Sequence, residues 1–88
     1  MNINENFVLR KIYGKSILIP VRKNEVGNEP IYLNGTGSVI WDLVYEGLSR
    51  EEILAYFSNE YELKADSTEK MIINNFIDEM VEMKLIYE

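Results

Sequence analysis

The sequence predicts an α+β fold in which a three-stranded antiparallel sheet precedes three helices, and three features point to it. Two runs dense in β-branched and aromatic residues, Phe7 to Ile12 and Lys15 to Val21, flank a Tyr13-Gly14 turn. Between Asn34 and Ile53 two short helices are spelled with a stop and a restart between them. From Ser67 to about Met83 apolar residues recur with helical spacing.

Taken in order, the elements each have a local cause. Phe7 to Ile12 and Lys15 to Val21 form a hairpin, and Pro20, which has no amide hydrogen to donate, belongs on an edge or at the strand's end. Arg22 to Glu29 is a polar loop with a Gly27-Asn28 turn, after which Pro30-Ile31-Tyr32-Leu33 is a short third strand running straight into a helix. Asn34, Gly35 and Thr36 supply a cap oxygen and permissive backbone for that first helix. Its apolar stripe is Val39, Ile40, Leu43 and Val44, with Trp41 on the flank as a core anchor. Gly47 stands where a left-handed residue ends a helix, and Ser49-Arg50-Glu51-Glu52 is a capping box that begins the second, which runs to about Tyr61 with Ile53, Leu54, Phe57 and Tyr61 on one face. Glu62 to Asp66 connects to the third helix, where Asp66 with Glu69 has capping-box spacing and Ser67 competes as the N-cap. Leu85-Ile86-Tyr87 is an extended end. Two helices packed so tightly are a tri-helical or winged-helix signature, and behind a hairpin they are read as a winged helix-turn-helix-like domain spanning residues 1–88.

The third helix is apolar over an unusually wide arc. At about 100° per residue, Ile72, Met83, Phe76, Met80, Ile73, Ile77 and Val81 cover about 180° of its surface, whereas packing on a single core needs only about 100°. Such a helix has surface enough for its own core and for a second contact. Met71, Met80 and Met83 belong to the core by default, although methionines at a groove rim adapt to varied partners.

Composition removes most enzyme chemistry. The 88 residues include no cysteine and no histidine, which excludes disulfides, cysteine or histidine zinc ligation, thiol nucleophiles and imidazole acid–base catalysis. No apolar run approaches the roughly 18 residues of a bilayer span, and the polar start Met1 to Asn6 is not a signal peptide. A cytoplasmic protein with no cofactor and no membrane partner is expected. Gly35-Thr36-Gly37-Ser38 lacks the lysine and spacing of a phosphate loop and reads as helix entry. Glu51/Glu52 and Asp78/Glu79/Glu82 diverge around their helices as solvated faces do. The net charge of −6 is uneven: residues 1–44 hold five cations against four anions, and residues 45–88 hold four against eleven. The third helix, with Glu69, Asp78, Glu79 and Glu82 against Lys70 and Lys84, would therefore meet DNA phosphates with like charge.

Several of these residues together carry a family resemblance. Ile31-Tyr32-Leu33-Asn34, then Ser38-Val39-Ile40-Trp41-Asp42-Leu43, then Gly47, Glu51-Glu52-Ile53 and finally Met83-Lys84-Leu85-Ile86 resemble the PqqD-like domains. These are small winged-helix recognition elements of ribosomally made, post-translationally modified peptide biosynthesis. Asn34, Ile40, Trp41, Leu43, Gly47 and Ile53 occupy the family's recurring places, and the likeness spans nearly the whole chain. It implies a non-catalytic peptide-binding chaperone. The partners implied are the leader segment of a precursor peptide and the peptide-modifying enzyme to which it is presented, often a radical maturase. In the family the leader lies as an added strand beside the third strand and against the third helix. Carried across, that gives Pro30, Ile31, Tyr32 and Leu33 on the strand and Ile72, Phe76, Glu79, Met80 and Met83 on the helix, with no nucleic acid involved. An unpaired strand edge and a wide apolar helix face suit this use physically. Two other classes compete. One is a nucleic-acid binder using Arg10, Lys11, Lys15, Arg22 and Lys23 as a basic wing, and the other a homodimer or scaffold pairing its open edge with its own copy.

Overall fold

Strands β2 (Phe7–Ile12), β3 (Lys15–Pro20) and β4 (Ile31–Leu33) form an antiparallel sheet in the order β2-β3-β4. They lead into helices α1 (Gly35–Tyr45), α2 (Arg50–Glu60) and α3 (Thr68–Glu82), in the α+β order that the sequence predicts. A computed structural model describes residues 1–22, 27–63 and 67–88, so Lys23 of the expected wing and Asp66 of the expected cap lie outside the described residues. The hairpin closes through Tyr13 and Gly14, both at positive φ (50° and 76°), which is the backbone that a two-residue turn between twisted strands requires. Pro20 ends β3 opposite Phe7.

Register assigns each side chain to a face. Leu9 opposite Leu18, and Leu18 opposite Ile31, share the face toward the helices. Ser16 on that same face meets Ser38 of α1, Oγ to Oγ at 2.9 Å. Beneath it lies one core cluster of Phe7, Leu18, Ile40, Trp41, Leu43, Val44, Ile53, Phe57, Ile73, Ile77, Met80, Leu85 and Ile86. Trp41 is thus a packing residue, as a single tryptophan in a small domain predicts, while Tyr61, expected on one face of α2 with Ile53, Leu54 and Phe57, is 63% exposed and stacks on Phe57.

The helix boundaries follow the capping chemistry. Asn34 is the N-cap of α1, its side chain accepting from the Gly37 amide at 2.7 Å. Gly47 takes a left-handed φ of 96°, which lets its own amide and that of Leu48 reach back to the Val44 and Leu43 carbonyls. Ser49 and Glu52 form the complete reciprocal capping box of α2. Ser67 caps α3, accepting from the Lys70 amide.

The extended end at Ile86–Tyr87 is as the sequence predicts, but its partner strand is not foreshadowed there. Asn2–Ile3 (β1) pairs antiparallel with Ile86–Tyr87 (β5), and the Asn4 amide continues the pairing to the Leu85 carbonyl at 2.8 Å. Asn4 itself is 3% exposed, and its amide group donates to the Lys84 carbonyl and accepts from the Asn6 amide. A second tie sits nearby. Arg50 at the start of α2 holds Asp78 (2.7 Å) and Asn74 (2.9 Å) of α3 and also the side chain of Glu88. Partial burial works to lower the Arg50 pKa, but the bonds to Glu88 and Asp78 outweigh it and hold the guanidinium above its ordinary value.

Candidate functional site

β4 sits at the edge of the sheet, paired on one side by β3 alone among the described residues. Successive residues of a strand direct their N–H and C=O groups to alternate sides, so the other edge of β4 presents backbone groups that no strand pairs among the described residues. Facing that edge is the C-terminal half of α3. Between them lies a groove of about 150 Å³ lined by Ile31, Tyr32 and Leu33 from the strand and by Phe76, Glu79, Met80 and Met83 from the helix, with Asn34, Gly37 and Leu85 at its floor and ends.

The α3 arc divides as its width suggests. Ile73, Ile77 and Met80 are buried in the core, Phe76 is half-buried against it, and Met83 is 48% exposed on the groove side. Ile31 and Leu33 also pack on the core from the strand side, while Tyr32 points the other way and is 69% exposed. The lining is therefore apolar, with one carboxylate, Glu79, at its rim. The groove thus sets an open strand edge against an apolar helix flank.

Seven of the nine residues singled out in the sequence come together here: Ile31, Tyr32, Leu33, Phe76, Glu79, Met80 and Met83. Two stand apart. Pro30 precedes β4 and is exposed, and Ile72, 48% exposed, lies a turn N-terminal of Phe76 and outside the lining. Leu85, Asn34 and Gly37 were not singled out as groove residues. Asn34 and Gly37 enter the lining because α1 begins immediately after β4, so the cap and first turn end the groove. A Cβ on Gly37 would meet the Asn34 side-chain oxygen at 3.3 Å and Leu33 Cβ at 3.6 Å, so glycine lets cap and strand approach.

Other candidate chemistry resolves into structure. Two amides of the Gly35 to Ser38 segment are used internally, Gly37 by the Asn34 side chain and Ser38 by the Asn34 carbonyl at 2.9 Å. Glu52 belongs to its capping box, and Asp78 to Arg50. Among the described residues no group of three or more acidic, histidine or cysteine side chains could hold a metal ion, and no helix is long and apolar enough to cross a membrane. A larger hollow, about 520 Å³, follows the free edge of β2 under Trp41, Asp42 and Tyr45. Its rim mixes Arg10 and Lys11 with Glu5 and Asp42, and the Lys11–Asp42 pair at 3.8 Å already spans it.

The fold is matched by a solved structure, TbiB1 in complex with the TbiA(beta) leader peptide. The TM-score is 0.75 and the sequences are 26% identical, over 100% of this chain and 99% of that one. No protein-family model and no curated protein matches the chain.

Proposed function

We propose that this chain is a non-catalytic peptide-binding module of the PqqD-like kind. It captures the leader segment of a ribosomally made precursor peptide and presents it to a peptide-modifying enzyme. The observation that carries the reading is the groove between the open edge of β4 and the apolar flank of α3, in a fold shared end to end with a protein solved with a leader peptide bound. The leader adds as a strand to β4. Its main chain bonds the free edge, and alternate side chains enter between Phe76, Met80 and Met83.

Energetics set what the groove must supply. Micromolar binding needs about −8 kcal/mol, and ordering a flexible leader costs about 2 to 5 kcal/mol of the gross interaction. Three residues of strand offer too few main-chain bonds for both, at about 1 kcal/mol net each. Apolar anchoring in the groove therefore has to provide much of the rest.

A labelled leader peptide titrated against the chain tests this directly. Phe76→Ala should weaken binding about tenfold, from about 1.5 kcal/mol of lost apolar contact, with circular dichroism checking that the fold persists. N-methylation of alternate leader amides should abolish binding in one register and leave the other intact. Equal tolerance of both registers, together with an unchanged affinity for Phe76→Ala, would refute strand addition in this groove.

A further inference from the structure

Strands β2, β3 and β4 contain no aspartate or glutamate, although the chain has fifteen such residues and a net charge of −6. Their charges are Arg10, Lys11 and Lys15 alone. Register places Lys11 on the helix side, opposite Ser16, and Arg10 on the outer side in one cross-strand row with Ile17 and Tyr32. Val8 opposite Ile19 forms the next row, and Ile12 opposite Lys15 the row at the hairpin end. Leu9, Ile31 and Leu33 pack against the core, whereas Val8, Ile17 and Ile19 stand half-buried on the outer face. Ile12 is 44% exposed there and Tyr32 69%. The result is an apolar sheet face carrying two cations, on a molecule that is otherwise acidic.

Charge selects the occupant. A second copy would set Arg10 and Lys15 against their own images and bring together two molecules of charge −6. A protein surface with an apolar centre flanked by carboxylates would instead bury the rows and pair both cations. We propose that this outer face docks the peptide-modifying enzyme through a surface of that chemistry. The identity of the enzyme rests on the leader-binding reading above. A leader strand added to β4 would continue the same face, its alternate side chains lying beside Tyr32, so the enzyme would contact chain and leader as one surface.

The test measures binding of a purified peptide-modifying enzyme from the same organism to the intact, leader-saturated protein. It compares wild type, Arg10→Glu, and Ile17→Thr, which keeps a β-branched residue in the strand. Arg10 lies two strands from β4, about 9.5 Å away, beyond the screening length of about 8 Å at physiological salt. The charge-reversed protein should bind enzyme at least about tenfold more weakly, with raised salt weakening wild type toward it. Its leader affinity should stay within about twofold. Ile17→Thr should also weaken enzyme binding without moving leader affinity. Wild type that binds leader but not enzyme, or enzyme affinity indifferent to both variants, overturns the docking face. So does a self-association in sedimentation, or binding to vesicles of phosphatidylcholine and phosphatidylglycerol, that the charge reversal abolishes while enzyme binding persists. Wild type that binds enzyme but no leader overturns the preceding reading and leaves this face standing.

Discussion

Gly47, Glu62 and Lys84 hold equivalent places just beyond the three helices, with φ of 96°, 53° and 60°. In each case the following amide reaches back five residues: Leu48 to Leu43, Leu63 to Ser58 and Leu85 to Met80. Only the first is glycine, and nothing lies within 4 Å of where a Cβ would stand on it. The two kinds of position should therefore respond with opposite sign. Gly47→Ala should lower stability by about 1 kcal/mol through backbone strain alone, and Glu62→Gly should raise it by about 0.5 kcal/mol, both read from thermal melts. Ser49→Ala should cost about 1 kcal/mol as the α2 cap is lost. Hydrogen bonds from the Ser49 amide and hydroxyl hold the Glu52 carboxyl below the ordinary carboxylate range. A carboxylate whose pKa is lower folded than unfolded contributes stability that is present above its unfolded value and disappears as pH falls through the folded one. Melting temperature should accordingly fall in acid, and Glu52→Gln should flatten part of that limb. These caps were legible because Asn34, Gly47 and Ser49 are read from a few neighbouring residues. Glu62 and Lys84 were not, since neither residue type announces a left-handed backbone.

At the level of elements, α3 shows what periodicity reveals and what it withholds. Spacing alone exposed an apolar arc too wide for one core, and the division into buried Ile73, Ile77 and Met80 and open Met83 bears out that surplus. Which flank faces β4 is a matter of how the helix is rotated against the sheet, and no local pattern encodes that rotation. Hence Ile72 was grouped with Phe76 in the sequence yet falls outside the groove. Ile72→Ser should change leader affinity by less than Phe76→Ala in the same titration. The pairing of β1 with β5 was hidden for another reason. Two-residue strands have no period to detect, and their register joins Asn2 to Tyr87, a contact set by tertiary packing rather than by local sequence.

For the whole molecule, that small sheet closes the core. Ile86 and Leu85 are 0% and 1% exposed, so the last strand and the residue before it carry two fully packed side chains into a core that a short chain can ill spare. Ile86→Ala should cost about 2 to 4 kcal/mol in urea unfolding, more than any cap substitution, without touching the groove lining. The fold as a whole was readable because strands, turns and helices are each written locally; its closure was not. The Asn2–Tyr87 pairing also gives the protein a mechanical character. A load applied at residues 1 and 88 meets the β1–β5 bonds in peeling geometry, one after another rather than in concert, because the two strands run antiparallel from adjacent ends. Tethered between two anchors, the protein would yield first at that corner, at low tension, while the β2-β3-β4 sheet stayed folded.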